Sequence, residues 1–99
     1  MSKISTKILS FPASTSPDVI KYHLYIAEYP TVVDYDSEVY DLGNTTSVDL
    51  KQILSSKEGI FNIGITAVDD NYNESDMTLL DNVPLDFMPP NPPGALSIT

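Results

Sequence analysis

The sequence predicts an all-β fold, an antiparallel sandwich of short strands, and three observations support this class. Apolar and polar residues alternate with a period of two in several runs, as they do in strands that are buried on one face. These runs are rich in β-branched and aromatic residues, which suit a pleated surface. Turn-forming residues separate the runs at intervals of about eight to twelve residues, a spacing typical of antiparallel sandwiches.

Two runs give the strongest strand pattern. In residues 19–27, one face is apolar and the other is mostly polar: Ile20, Tyr22, Leu24 and Ile26 against Lys21, His23 and Tyr25. Residues 60–68 repeat the alternation, and their apolar face carries Phe61, Ile63, Ile65 and Ala67. Both runs are therefore predicted as strands with one buried face, and His23 is expected at the surface.

Shorter runs and turns complete the pattern. Two pairs of alternating apolar residues predict two short strands: Leu9 with Phe11, and Val48 with Leu50. Residues 12–17 and 69–76 are rich in proline, serine, asparagine and aspartate, and they predict turns. The only helix candidate, residues 49–57, repeats no apolar stripe, so it is predicted as the end of a strand followed by a turn.

Length and composition narrow the functional classes. Ninety-nine residues make one domain, and an apolar fraction of 41% is too high for a disordered acidic tail. Fourteen acidic residues and five lysines, with no arginine, give a formal charge of −9. This charge disfavours nucleic acids and anionic membrane surfaces as partners, and the apolar runs are too interrupted for membrane insertion. The lack of cysteine excludes disulfides, zinc–thiolate sites and thiol nucleophiles.

Three strand-like segments follow one another along the chain: Leu9-Ser10-Phe11, Tyr22-His23-Leu24-Tyr25, and the run from Phe61 to Asp69. They resemble the second, third and sixth strands of a fibronectin type III module. Leu54 stands where that family has a leucine in the preceding turn. The resemblance covers Leu9 to Phe87, and it implies an Ig-like fibronectin type III sandwich.

Two aromatic positions depart from the family pattern. The family usually has tryptophan where Phe11 stands, and it prefers tyrosine at the position of Phe61, where the hydroxyl bonds back to the chain. The missing hydroxyl removes one hydrogen bond, worth about 1 kcal/mol, and leaves the fold prediction unchanged.

The resemblance also implies that the first strand of the module is not in its usual place. Ten residues precede Phe11, and they lack the family's proline-rich opening. The C-terminal segment Asn91-Pro92-Pro93-Gly94-Ala95-Leu96-Ser97-Ile98-Thr99 resembles that opening instead. We therefore predict a sandwich over residues 1–87, a Pro-rich linker over 88–94 and an extra terminal strand over 95–99.

A sandwich without its first strand exposes unpaired backbone groups beside an apolar slot. Donation of the terminal strand to the next subunit fills this slot, and it predicts a non-catalytic module that assembles head to tail into a filament, tail or surface array. The predicted donor residues are Pro92, Pro93, Ala95, Leu96 and Ile98. The predicted acceptor residues are Leu9, Phe11 and Val48.

Three alternatives to donation between copies remain open. The chain can be a slice of a multidomain protein, in which case residues 95–99 have no role of their own. Closure in cis is barely feasible, because nine residues of polyproline reach about 28 Å and a strand of eight residues spans roughly 26 Å. Residues 1–6 are the third candidate for the vacant position.

The alternative function is a binding module excised from a multidomain protein. Five tyrosines provide candidate aromatic surfaces for a glycan or a protein: Tyr25, Tyr29, Tyr35, Tyr40 and Tyr72.

Catalysis and cofactors are not predicted. His23 is the only histidine, and no serine–acid partner stands in a recognisable motif. A second acidic stretch is interpreted as protection of a sheet edge rather than as a glycosidase pair: Asp34, Asp36, Glu38 and Asp41.

The densest group of oxygen ligands gives a calcium hypothesis. Its candidate ligands are Asp69, Asp70, Asn71, Asn73 and Glu74. The segment fails the EF-hand pattern, because Glu74 occupies the glycine position and Leu80 the position of the bidentate acid. A solvated turn is the simpler interpretation.

No signal peptide is recognisable in residues 1–7. We therefore expect a cytoplasmic protein or a virion component if Met1 is the natural start, and an extracellular location if the chain is a fragment.

Overall fold

The computed structural model describes residues 7–98, and in this range it contains six strands and one short helix. In chain order these elements are β1 (Ile8–Ser10), β2 (Val19–Glu28), β3 (Glu38–Gly43), β4 (Ser47–Asp49), α1 (Leu50–Leu54), β5 (Glu58–Asp69) and β6 (Thr78–Asp86). The strands form two antiparallel sheets, one of order β1-β4 and one of order β3-β2-β5-β6. The predicted all-β, antiparallel character is confirmed.

The core lies on the inner face of the larger sheet. The period-two pattern of β2 and β5 places their apolar residues opposite each other, as in the pairs Leu24–Ile65 and Ile26–Ile63. The buried cluster consists of Leu24, Ile26, Leu50, Leu54, Phe61, Ile63, Val83, Leu85 and Phe87. The predicted inner faces of β2 and β5 therefore form the core, except at Ile20, which is 39% exposed where the register of β2 shifts between Val19 and Lys21.

The segment after β4 is a helix, and the predicted turn was wrong there. Asp49 caps α1, because its Oδ1 accepts a hydrogen bond of 3.0 Å from the backbone N–H of Lys51. Leu50 and Leu54 are four residues apart, so one turn of helix places both side chains against the core. Two buried leucines and one cap are enough for a single helical turn.

The outer face of the larger sheet is also covered, which the sequence did not predict. Tyr25 and Thr66 are buried on this face, although both alternate with core residues. The loop between β2 and β3 lies over it, since Val33 is buried and the Asn62 side-chain amide donates to the Thr31 carbonyl at 2.9 Å. The middle of β5, from Phe61 to Gly64, is therefore buried on both faces.

The direction of β6 decides at which end of the sandwich the C-terminal segment leaves. We call the end with the pair Val19–Asp69 the upper end, and the end with the pair Glu58–Asp86 the lower end. β6 runs from the upper to the lower end, so the C-terminal segment leaves at the lower end. The molecule extends 68 Å along its longest axis and 26 Å along the next.

The predicted terminal strand is not a strand in the single chain. Residues 88–98 have no regular secondary structure, and the side chains of Leu96 and Ile98 are fully exposed. A strand needs a neighbouring backbone to pair with, and residues 95–98 have none within the described range 7–98. The domain limits predicted around this segment stay a prediction. Among the described residues, no helix is long and apolar enough to cross a membrane.

Candidate functional site

One edge of β1 is available for pairing. β4 covers the other edge, where Phe11 N–H donates to the Thr46 carbonyl at 3.0 Å and Leu50 N–H donates to the Lys7 carbonyl at 2.8 Å. Since backbone groups alternate in direction along an antiparallel strand, Ile8 and Ser10 point their N–H and C=O groups away from β4. No strand within residues 7–98 pairs with that side. The candidate segment 1–6 lies outside the described residues.

An open apolar groove lies beside this edge, between β1 and β6. Its upper part has a volume of about 570 Å³, and its lower part has a volume of about 310 Å³. Leu9 and Leu80 line both parts, so they form one groove, which we call the β1–β6 groove. Its floor in the upper part includes Ile63, Ile65 and Ala67 from β5.

The walls of the groove expose large apolar side chains. Leu80 is 50% exposed in the groove, and Ile8 and Leu79, which border it, are 57% and 52% exposed although they lie in strands. An apolar surface next to an unpaired strand edge is typical of a binding surface for another strand. The groove is therefore the candidate functional site.

The structure brings two of the three predicted acceptor residues to this groove. Leu9 and Phe11 line it, and the Phe11 ring packs edge-on against Tyr22 with centroids 5.1 Å apart. Val48 lies directly opposite Leu9 on β4 and packs against the core, on the side of β1 away from the groove. Val48 therefore supports the acceptor strand without lining the groove.

Lys7 spans the groove at its lower end. Its ammonium group donates a hydrogen bond to the carbonyl of Pro84 on β6. The side chain thus connects the two walls where the groove approaches the lower end of the sandwich. At the upper end, the lining residues Thr15 and Asp76 make no such connection within the described residues.

The predicted donor residues are kept apart from the groove in the single chain. Pro92, Pro93, Ala95, Leu96 and Ile98 are all exposed and none of them lines it. Every charged side chain of the protein stands at or before Asp86, so the C-terminal segment carries none. We call residues 88–98 the tail.

A polar cluster on the outer face holds the loop that borders the upper end of the groove. Glu74 accepts hydrogen bonds from the hydroxyls of Tyr25 at 2.6 Å and Thr66 at 2.7 Å. His23 Nδ1 lies 3.3 Å from the same carboxylate, without hydrogen-bond geometry. The neighbouring Ser75 bonds to β5 through its backbone N–H and its hydroxyl. His23 and Tyr25 therefore belong to this cluster, and their predicted surface positions were wrong.

The cluster shifts two pKa values in opposite directions. Burial alone would raise the pKa of Glu74, but the hydrogen bonds from Tyr25 and Thr66, together with nearby His23, lower it below the usual value. Burial raises the pKa of Tyr25 well above its usual value, and the hydrogen bond to Glu74 raises it further. The stable state of the cluster is thus an ionised Glu74 facing a neutral Tyr25.

Replacing Glu74 with glutamine is expected to lower the free energy of unfolding by about 1–2 kcal/mol at neutral pH, because two hydroxyl donors lose a charged acceptor. Since folding lowers the pKa of Glu74, the carboxylate stabilises the fold above the unfolded value of about 4.3 and loses this effect as the pH falls through the folded value. The difference between wild type and Glu74→Gln should therefore shrink at about pH 3.

Urea unfolding at the two pH values measures this difference. Asp76→Asn is the matched control, because Asp76 is an exposed acid in the same loop. An equal difference for Glu74→Gln at both pH values would contradict the role of the ionised carboxylate.

The calcium candidates do not converge on one point. Asp69 uses its carboxylate within its own turn, where it accepts hydrogen bonds from the backbone N–H groups of Asn71 and Asn73, both at 2.9 Å. Glu74 turns inward to Tyr25 and Thr66. Across residues 7–98, no three His, Asp or Glu side chains are grouped so that they could hold a metal ion. The geometry gives the calcium hypothesis, which also included Asp70, no support.

The acidic stretch forms ion pairs with lysines, and the candidate tyrosines are spread over both ends of the sandwich. Asp41 pairs with Lys21 at 2.9 Å, and Glu38 pairs with Lys57 at 2.5 Å, along the exposed strand β3. Tyr29 follows the lower end of β2, whereas Tyr72 lies in the turn at the upper end. The arrangement therefore does not favour a tyrosine-lined binding face.

The sequence did not indicate the β6 wall of the groove or the position of Lys7. One signal was available: Leu79 and Leu80 are adjacent in one strand, so they must face opposite sides of it. Because β6 lies at the edge of its sheet, the side chain of one of these two leucines must lie outside the main core.

Comparison of the chain with protein-family models, with curated proteins and with solved structures finds no match. The resemblance to a fibronectin type III module thus rests on the residues quoted for it.

Proposed function

We propose that this protein is a non-catalytic structural module that associates head to tail, with the tail of one copy inserted as a strand in the β1–β6 groove of the next. The observation that carries the proposal is the edge of β1 that no strand of residues 7–98 covers, beside an open apolar groove. A contact between two different surfaces of the same chain repeats from copy to copy, so it yields a filament or a ring.

The polarity of the two partners supports assembly between copies. A strand in the position of the first strand of a fibronectin type III module runs antiparallel to β1, from the upper to the lower end. The tail leaves its own sandwich at the lower end. A copy stacked below therefore receives the tail at its upper end without a reversal of chain direction.

The length of the linker disfavours insertion of the tail in its own groove. The tail would first have to return along the nine residues of β6, a distance of roughly 30 Å. Residues 88–94 extend about 22 Å in the polyproline conformation. The same stiff segment favours donation to a neighbour, because it loses little conformational freedom on docking.

The charge distribution and the apolar area of the tail also favour a second copy of this chain as the partner. The body carries the whole formal charge of −9, whereas the tail has no charged side chain, so insertion brings no charged side chain into the groove. Burial of Leu96 and Ile98 contributes roughly 3–6 kcal/mol before ordering costs. Pairing with the backbone of Ile8 and Ser10 adds about 1 kcal/mol for each hydrogen bond.

Replacing both Leu96 and Ile98 with aspartate tests the proposal. Wild-type protein is expected to gain mass with concentration in sedimentation velocity, and the double variant is expected to remain monomeric. The fold should be unaffected, since both side chains are fully exposed in the single chain.

Ser97→Asp is the matched control, because it adds a charge to the same segment on the opposite face of the inserted strand. It should weaken association far less than the double variant does. Wild-type protein that stays monomeric at high concentration, or a double variant that associates as wild type does, would overturn the proposal.

A further inference from the structure

We infer that the inserted strand takes one register, with Leu96 opposite Phe11 and Ile98 opposite Leu9 of the receiving copy. This inference rests on the proposed function, and it identifies which residues of the two copies meet. It follows from three constraints: the direction of the strand, the alternation of β1 and the position of Lys7.

The direction of the strand is set by the two ends of the sandwich. Lys7 contacts β6 at the lower end, and Phe11 packs against Tyr22 at the upper end, so β1 runs from the lower to the upper end. A tail that arrives at the upper end runs the other way. The pairing is therefore antiparallel, and higher tail numbers lie opposite lower β1 numbers.

The alternation of β1 decides which tail residues face the groove. Ile8 and Ser10 offer the free backbone groups, so tail residues directly opposite them exchange hydrogen bonds and point their side chains outward. Residues opposite Leu9 and Phe11 point into the groove, because paired residues share a face. Leu96 and Ile98 must take the positions that point inward, since the alternative points Ala95 and Ser97 into an apolar groove.

Among the registers in which Leu96 and Ile98 point into the groove, Lys7 and Pro12 exclude all but one. A shift of two residues towards the lower end places Ile98 opposite Lys7, whose side chain spans the groove to Pro84. A shift of two residues towards the upper end places Leu96 opposite Ala13, beyond Pro12 and beyond the paired part of β1. Only the middle register keeps both apolar side chains in the groove, and it sets Ser97 opposite Ser10.

The lack of cysteine makes this register directly testable by cross-linking. A full-length chain with Ser10→Cys and Ser97→Cys is expected to form a ladder of covalent multimers on mild oxidation, seen on a non-reducing gel. A chain with Ser10→Cys and Ala95→Cys tests the shifted register, and it should cross-link about tenfold more slowly, because its Cα atoms lie beyond disulfide distance. Chains with Ser10→Cys alone can form dimers only, which measures random oxidation.

Lys7 has its own test as a positioning residue. In the Lys7→Ala background, the cross-linking rates of the Ala95 and Ser97 pairs should approach each other, because the shifted register is no longer blocked. Lys7→Arg should restore the preference for Ser97, since its longer cationic side chain can also reach the Pro84 carbonyl. A Ser97 preference that does not change in Lys7→Ala would overturn the role of Lys7.

The outcomes separate the register from the proposed function. A ladder that forms faster through Ala95 than through Ser97 overturns the register and leaves head-to-tail association intact. A disulfide within one chain shows closure in cis and overturns both. Protein that is monomeric in sedimentation and cross-links no faster than the single-cysteine control also overturns both.

Discussion

Replacing Ser10 with proline is expected to abolish head-to-tail association while the fold stays intact. The N–H group of Ser10 points away from β4, so proline at this position removes no backbone hydrogen bond formed within residues 7–98. Proline is tolerated on an edge strand for this reason, and there it prevents the addition of another strand. Ser10→Ala keeps the N–H group and should associate as wild type does. Sedimentation velocity, with thermal unfolding as a check of the fold, measures both variants.

A mixture of two variants that cannot associate alone tests donation between copies directly. The Ser10→Pro chain has a blocked groove and an intact tail, whereas the chain with aspartate at positions 96 and 98 has an intact groove and a disabled tail. Each should be monomeric alone, and an equimolar mixture should form a dimer that grows no further. A mixture that stays monomeric, although both variants are folded, would contradict donation between copies.

The strands were predictable because their side chains alternate against one core. Leu24, Ile26 and Ile63 follow the period of two, and they lie on the inner face, as the sequence predicts. The turn predicted after Val48 failed for a local reason. Asp49 caps the chain as a helix, and the pair Leu50–Leu54 repeats with a helical spacing that is too short to stand out in the sequence.

The outer face of the sheet was not predictable from alternation alone. Tyr25 and Thr66 stand at positions that alternation assigns to solvent, and both are buried where the loop that carries Glu74 folds back over the sheet. The sequence pattern of a tyrosine or threonine on the polar face of a strand is the same whether or not a loop covers that face. The position of Glu74, eight residues after Thr66, could be recognised only after the loop had been placed.

The candidate site was predictable on one side only. Leu9 and Phe11 were identified because the resemblance implies a missing neighbour for their strand. The opposite wall comes from β6, whose Leu80 lies 71 positions from Leu9, and local patterns carry no information about such a pairing. The exposed tail was indicated by its composition, since it is rich in proline and has no charged side chain.

Replacing Leu54 with alanine is expected to cause the largest loss of stability of any substitution proposed above. Leu54 is fully buried in the core cluster, and truncation of a buried leucine costs about 2–5 kcal/mol, depending on how far the surroundings relax. Domains of this size have a total stability of about 5–15 kcal/mol, so the variant should lose a large part of it. Urea unfolding followed by circular dichroism measures the change.

Gln52→Ala is the matched control, because Gln52 is exposed on the same helical turn and alanine is the better helix former. Its stability should change by less than about 0.5 kcal/mol. The effect of Leu54→Ala should also extend to the acceptor edge, because Leu50 of the same helix donates to the Lys7 carbonyl and so fixes the start of β1. We therefore expect Leu54→Ala to weaken association as well as folding. A loss below about 1 kcal/mol would contradict the packing of α1 against the core.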